Sequence, residues 1–178
     1  MGTTDHVLTK PELRRSKPAR ADFANLPRNP ITVVLDRVTG SYNLGAIIRL
    51  CDAFLCERLV ICGTPVERRN RKFVQAAKGA QHWVPWMEEP EAAAVVRAAK
   101  AAGHWIGVVE LTAASVGVTA MEPCYPATLV LGSERSGISP DVLACADQAV
   151  AIPMLGMANS LNVATAAAIV LHELARRL

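Results

Sequence analysis

The sequence lacks any segment that would place the chain in or across a membrane. The best candidate, Leu161 to Leu171, is shorter than the roughly 18 apolar residues that a membrane helix needs. The N-terminal residues contain no apolar signal-peptide core. An apolar content of 51% with 20% charged residues is typical of one globular domain. We therefore expect a cytoplasmic protein without a membrane partner.

Patterns for metal binding and for disulfides are also missing. The five cysteines, an odd number, include no close Cys-x-x-Cys pair, and the four histidines are scattered. Zinc sites need such ligands at short, regular spacing. We expect reduced thiols and no bound metal.

Three common catalytic signatures are absent as well. There is no glycine-rich phosphate loop ending in Lys and Ser or Thr, and no G-x-G-x-x-G follows the first predicted strand. Ser133 and Ser136 lie near glycines but form no G-x-S-x-G elbow. These absences disfavour nucleotide hydrolysis, Rossmann-type dinucleotide binding and serine-hydrolase chemistry.

Positive charge is concentrated near the N-terminus. Residues 1–30 hold six basic and three acidic side chains, whereas residues 31–178 hold thirteen of each. A second basic cluster lies in a predicted loop and consists of Arg68, Arg69, Arg71 and Lys72. Each patch fits either attraction to a phosphate-rich partner or a plain solvated surface.

From residue 31 onward, predicted strands alternate with predicted helices. The strands are expected at 31–36, 59–62, 105–109, 127–131 and 148–152. The helices are expected at 44–55, 73–78, 88–102, 141–144 and 160–177. Such alternation predicts an α/β domain at 31–178, with a mostly parallel sheet covered by helices on both faces. Residues 1–30 are then a basic extension outside this domain.

The closing helix contains a long uncharged stretch. Between Leu161 and Leu171 only Asn162 and Thr165 are polar, so no hydrophilic stripe faces water. One face is expected to pack on the sheet and the other on a second surface. We interpret that surface as a homodimer interface, with deep burial inside one chain as the alternative.

Polar side chains follow three of the predicted strands. Asn43 and Arg49 follow the first strand, and Gly45 between them permits close backbone approach. Glu134 directly follows the strand at 127–131, where an unpartnered carboxylate would be costly to bury. Ser160 begins the predicted closing helix as a candidate N-cap, with Asn162 in its first turn. Taken singly, each group also fits an ordinary cap, turn or surface side chain.

Three ordered segments contain these residues. They are Asn43-x-Gly45-Ala46-x-x-Arg49, LVLGSERSGIS over residues 129–139, and IPMLGMANSLNVA over residues 152–164. Together they resemble the motifs of the SpoU-like (TrmH-like) branch of the SPOUT RNA methyltransferases. The motifs and their spacing span nearly all of residues 31–178.

The resemblance implies a fold, a cofactor and a substrate class. It implies a C-terminal deep trefoil knot, a homodimer, S-adenosylmethionine bound in the knot, and methylation of a ribose 2′-oxygen of tRNA or rRNA. By motif, the cofactor contacts would be Gly132, Ile152, Met154 and Leu161. The catalytic and substrate-positioning set would be Asn43, Arg49, Glu134, Ser160 and Asn162.

Arg49 is assigned a phosphate-binding role within this set. A guanidinium has a pKa above about 12 and rarely gives up its proton, so we expect Arg49 to clamp a substrate phosphate and stabilise negative charge. A phosphate or water would then accept the hydroxyl proton, while Ser160 and Asn162 orient the ribose. The loop at 62–86, with its basic cluster, is the expected RNA-facing surface.

Two alternative functions stay open from the sequence. A SPOUT enzyme that methylates a base nitrogen would share the cofactor pocket, and a non-catalytic RNA-binding dimer would share the fold and charge. None of the residues singled out identifies the RNA, because none of them reads a nucleotide sequence.

Overall fold

The computed structural model describes residues 6–15, 17–19, 22–23 and 26–178, and its centre is one parallel sheet. The N-terminal extension falls partly outside this set, and two of its charged residues, Asp5 and Arg20, are not described. The sheet has seven strands in the order β3-β2-β1-β6-β4-β7-β5. In chain order the strands are β1 (Asn29–Asp36), β2 (Cys56–Cys62), β3 (Trp86–Glu89), β4 (Trp105–Val109), β5 (Val116–Gly117), β6 (Ala127–Gly132) and β7 (Gln148–Ala151).

Helices cover both faces of this sheet, as the sequence predicts. They are α1 (Lys10–Arg15), α2 (Ser41–Ala53), α3 (Arg71–Ala77), α4 (Ala92–Ala101), α5 (Pro140–Leu143) and α6 (Val163–Arg176). Apolar side chains of α2, α3 and α6 share one core cluster with the sheet, and those of α4 and α5 share another on the opposite face.

The central strand shows why its sequence is almost continuously apolar. Every residue from Ile31 to Asp36 is buried. Val33 and Leu35 belong to the α2 side of the sheet, whereas Val34 belongs to the α4 side. Because successive side chains of a strand point to opposite faces, a sheet covered on both faces needs apolar residues at consecutive positions.

Neither a membrane helix nor a metal cluster occurs among the described residues. Within that part of the chain, no helix is long and apolar enough to cross a bilayer. No group of three or more His, Cys, Asp or Glu side chains there could hold a metal ion. All five cysteines are free thiols.

Most of the apolar surface of α6 is buried inside this chain. Val163, Val170 and Leu171 are buried, and Ile169 is half-buried. Leu161, expected inside the helix, precedes it and is 37% exposed. The outward surface of α6 is therefore narrower than the uncharged stretch predicts.

The described end of the N-terminal extension is attached to the sheet layer. Arg28 donates hydrogen bonds to the carbonyl oxygens of Cys56 (3.2 Å) and Trp83 (3.1 Å). The Phe23 ring packs edge-on against Trp83, with centroids 6.1 Å apart. Arg28 therefore binds the protein itself, and its guanidinium is not available as a free charge for a polyanion.

Gly45 lies where α2 packs tightly against α3. A Cβ at Gly45 would overlap the carbonyl oxygen of Phe73 and touch the Cβ of Ala76 at 3.0 Å. The close backbone approach expected at Gly45 is thus made by a neighbouring helix.

Asp36 joins the end of β1 to the loop after β6. Its carboxylate accepts the backbone N–H of Ser139 (2.7 Å) and the Nε–H of Arg37 (2.9 Å). Burial raises the pKa of Asp36, but these hydrogen bonds outweigh burial and hold the pKa below its ordinary value. The ionised carboxylate therefore stabilises the fold.

Replacing Gly45 by alanine is expected to lower the free energy of unfolding by about 1–3 kcal/mol, because α3 would have to move away from α2. Urea unfolding measures this change. Gly117→Ala is the matched control, since its backbone is extended and no atom lies within 4 Å of the added Cβ. An unchanged free energy of unfolding for Gly45→Ala would contradict the close helix contact.

Replacing Asp36 by asparagine is expected to lower the free energy of unfolding by about 1–2 kcal/mol at neutral pH, because a charged acceptor is lost. The wild-type advantage is present above about pH 4 and disappears as pH falls through the lowered pKa of Asp36. Urea unfolding at neutral pH and at about pH 3 tests this.

Asp141→Asn is the control for this pH dependence, because Asp141 is exposed on α5. A difference between wild type and Asp36→Asn that is equally large at both pH values would be the contrary result.

Candidate active site

Adjacent strands bring the first two polar segments together. β1 and β6 pair in parallel, and their last residues, Asp36 and Gly132, lie opposite each other. The segments after both strands therefore leave the same edge of the sheet. Asn43 lies in the first turn of α2 and Glu134 in the turn after β6.

A chain of hydrogen bonds connects all three polar segments. The Nδ2 of Asn43 donates to Oε1 of Glu134. The Nδ2 of Asn162 donates to Oδ1 of Asn43, with 3.0 Å between the atoms. Both ends of the Asn43 amide are therefore used, and three segments distant in sequence are held at one point.

Asn162, and not Ser160, is the N-cap of the closing helix. The Oδ1 of Asn162 accepts the backbone N–H groups of Ala164 (3.0 Å) and Thr165 (3.4 Å), which have no partner within the helix. Capping with one end of the amide leaves Nδ2 for Asn43. Ser160 is exposed and makes no side-chain hydrogen bond within the described part of the chain.

Arg49 lies on the exposed side of α2, outside this chain of hydrogen bonds. It is six residues beyond Asn43, nearly two helical turns. Its guanidinium has no ion-pair partner among the residues that the structure describes. It is therefore available to bind an anion from solution.

Gly132 is required by the turn that follows β6. A Cβ at Gly132 would overlap the backbone of Gly137 and Ile138. The turn folds back so that the N–H of Gly137 donates to the carbonyl oxygen of Ser133 (2.9 Å). Gly137 itself adopts a φ of 62°, which favours glycine.

Glu110 organises the same turn, although the sequence analysis does not single it out. It directly follows β4, and its Oε2 accepts the N–H of Ile138 (3.0 Å). Its Oε1 accepts the N–H of Leu111 (3.1 Å). The loop after β4 is thereby tied to the loop after β6. The sequence signal for Glu110 is a carboxylate directly after a predicted strand, similar to the position of Glu134 just beyond the strand at 127–131.

The segment between β7 and α6 contains the other predicted cofactor residues. Ile152 and Met154 are half-buried, and Leu161 is 37% exposed. Over residues 154–161 the backbone makes no hydrogen bond to other described residues. The free backbone donors and acceptors of this segment, which also carries the exposed side chain of Leu155, suit an adenosine group held mainly through main-chain contacts.

In the basic cluster at 68–72, one side chain is held by contacts within the protein and three are free to bind an anion. Arg68 forms an ion pair with Glu88 (3.1 Å) and lies over the Trp86 ring, 4.3 Å from its centroid. The available side chains are exposed and have no ion-pair partner in the described part of the chain. They are Arg69, Arg71 and Lys72.

Solved structures of RNA-modifying enzymes share this fold. The Aquifex aeolicus TrmH/SpoU tRNA modifying enzyme superposes with a TM-score of 0.78 at 30% identity, over 89% of this chain and 80% of that chain. An rRNA methyltransferase from Sinorhizobium meliloti, solved with bound AdoMet, superposes with a TM-score of 0.76 at 30% identity, over 87% of this chain and 59% of that chain.

Sequence comparison points to the same group of proteins. The tRNA (guanosine(18)-2′-O)-methyltransferase of Escherichia coli (strain K12) is 33% identical over 149 residues. That match covers 83% of this chain, which spans only 63% of the length of the E. coli protein. Residues 30–172 match the model of the SpoU rRNA Methylase family. This chain belongs to that family.

Proposed function

We propose that this protein transfers a methyl group from S-adenosylmethionine to a ribose 2′-oxygen of tRNA or rRNA in the cytoplasm. The observation that carries the proposal is the hydrogen-bonded chain of Glu134, Asn43 and Asn162. It joins residues from the three family motifs at one edge of the sheet. The relatives described above are named as tRNA and rRNA methyltransferases, which supports the same chemistry.

The cofactor would lie against the loops after β4, β6 and β7. Backbone groups of Gly132, Ile152 and Leu161 would hold it, with Met154 nearby. When bound, S-adenosylmethionine supplies a methyl group attached to a positively charged sulfonium. Transfer of that methyl group leaves a neutral thioether. What the chain must provide is alignment of the 2′-oxygen and a route for its proton.

Arg49 would bind the phosphate of the nucleotide to be methylated and stabilise negative charge that develops on its 2′-oxygen. A guanidinium is unsuited to act as the base, because it rarely gives up its proton. A substrate phosphate or a water molecule would accept the proton. Asn162 and Ser160 would orient the ribose, and Glu134 would hold the Asn43 amide in the orientation that faces Asn162.

The path of the C-terminal segment supports a trefoil knot. Two strands, β6 and β4, separate β7 from β1 in the sheet. Asn162 nevertheless reaches Asn43, beyond the end of β1, so residues 152–162 cross the carboxyl ends of both intervening strands. We assign the knotted methyltransferase domain to residues 31–178 and treat residues 1–30 as a basic extension.

A homodimer would complete the molecule. A groove of about 380 Å³ runs between α6 and the turn at Val118–Ala120. Its lining is mostly apolar and consists of Val118, Thr119, Ala168, Ile169, His172 and Glu173. A second copy packed here would bury the outward stripe of α6.

The exposed side chains of the basic cluster would contact RNA phosphates. They are Arg69, Arg71 and Lys72, whereas Arg68 is held by Glu88.

The reaction product tests this proposal. Total RNA from cells lacking the gene, incubated with the protein and S-adenosylmethionine, is expected to gain a 2′-O-methyl nucleoside, measured by mass spectrometry of the digested RNA. Arg49→Ala is expected to lower the transfer rate by about 100- to 1000-fold, while calorimetry still detects cofactor binding.

Arg97→Ala is the matched control, because Arg97 is an exposed arginine on α4, on the opposite face of the sheet. A methylated base would favour a SPOUT enzyme acting on a base nitrogen. RNA binding without cofactor binding would favour a non-catalytic dimer. Unchanged turnover in Arg49→Ala would refute the role given to that residue.

Glu110 is expected to control cofactor affinity through the loop that it holds. Glu110→Ala removes the acceptor of the Ile138 N–H and is expected to raise the KM for S-adenosylmethionine by about 10- to 100-fold, because a hydrogen bond to a charged group is lost. The KM for RNA is expected to change less.

Glu110→Gln keeps an acceptor oxygen and is expected to restore much of the cofactor affinity. Glu91→Ala, at an exposed acid preceding α4, is the control for loss of negative charge. A cofactor KM that is insensitive to Glu110→Ala would show that the loop keeps its shape without this carboxylate.

A further inference from the structure

Tyr42 is the one aromatic residue that this protein exposes widely. The chain has three Phe, three Trp and two Tyr residues, and all eight lie in the described part. Tyr42 is 62% exposed, and the other seven are buried or half-buried. Its ring makes no aromatic or cation–π contact with other described residues. Leaving such a ring in water forgoes the stabilisation that burial would provide.

The position of Tyr42 links it to the candidate active site. It is the second residue of α2 and directly precedes Asn43, which holds Glu134 and Asn162. Arg49 comes seven positions after Tyr42, so both side chains leave the same side of α2, about 10 Å apart along its axis. Between them lies Ala46, whose methyl group is half-buried against the core and adds little bulk to this stripe.

The other sides of α2 pack against the rest of the protein. Gly45 packs against α3, and Leu44, Ile47 and Cys51 are buried in the core. The stripe with Tyr42 and Arg49 is therefore the part of α2 that a ligand can reach. It offers a flat apolar ring at one end and a free guanidinium at the other.

We propose that Tyr42 stacks on the base of the nucleotide whose ribose is methylated, while Arg49 binds its phosphate. The inference rests on the proposed function and adds a binding site for a nucleobase. Unpaired RNA bases are commonly held by stacking on aromatic side chains. Stacking accepts any base, because every base has a π-face. The ring thus positions the nucleotide without selecting its identity.

The test compares three substitutions at Tyr42. The substrate is total RNA from cells lacking the gene, and the KM values for RNA and for S-adenosylmethionine are measured separately. Tyr42→Ala is expected to raise the RNA KM by about 5- to 100-fold. Tyr42→Leu is expected to raise it as well, because leucine is a large apolar residue but has no planar face. Tyr42→Phe keeps the ring and is expected to rescue RNA affinity. The cofactor KM is expected to be the same in all three.

Leu143→Ala is the matched control, because Leu143 is an exposed apolar residue (37%) on α5, on the opposite face of the sheet from α2. An RNA KM for Tyr42→Leu equal to that of Tyr42→Phe would overturn stacking in favour of simple apolar contact. A loss of the dimer in Tyr42→Ala, measured by light scattering, would place the ring in a subunit interface and overturn the proposal. Absence of any methyl transfer by the wild-type protein would instead refute the proposed function, and this inference with it.

Discussion

The arrangement of the site depends on a single amide that is hydrogen-bonded at both ends. Asn43 donates to Glu134 and accepts from Asn162. A carboxylate can only accept hydrogen bonds and an ammonium can only donate them, so neither could bridge these two partners. The bridge is possible because β1 and β6 are neighbours in the sheet and end in register, which brings Glu134 close to α2. Asn162 completes it because the other end of its own amide caps α6, and this fixes its orientation.

Two further carboxylates hold the same edge of the sheet by accepting backbone N–H groups. Asp36, the last residue of β1, accepts from Ser139, and Glu110, after β4, accepts from Ile138. The two carboxylates therefore bind consecutive residues of one turn, and they do so from opposite sides. Gly132 and Gly137 allow that turn to lie close enough, because a Cβ at either position would overlap a neighbouring group. The conformation of this turn is therefore fixed before any ligand binds. This reduces the conformational entropy that would otherwise be lost on binding.

Local patterns of sequence predict the fold better than they predict these contacts. β4 is predicted with both ends correct, because Gly103 precedes it and its residues are apolar throughout. β3 and β5 are missed, since strands of four and two residues at the sheet edges have too little periodicity to be recognised. The three motifs lead to Asn43, Glu134 and Asn162. Glu110 and Asp36 are missed because their partners lie 28 and 103 residues away, and only the order of the strands brings them together.

Each side of helix α2 has a different structural role. Its inner side supplies Leu44, Ile47 and Cys51 to the core, and a second side needs Gly45 for the contact with α3. Its first turn positions Asn43, which leaves one stripe, from Tyr42 to Arg49, facing solvent. A shift of α2 caused by a change in its packing would move Asn43 and Arg49 together, because they belong to one rigid helix. Helix packing and substrate geometry are therefore coupled here, and a side chain far from the reacting atoms can alter both.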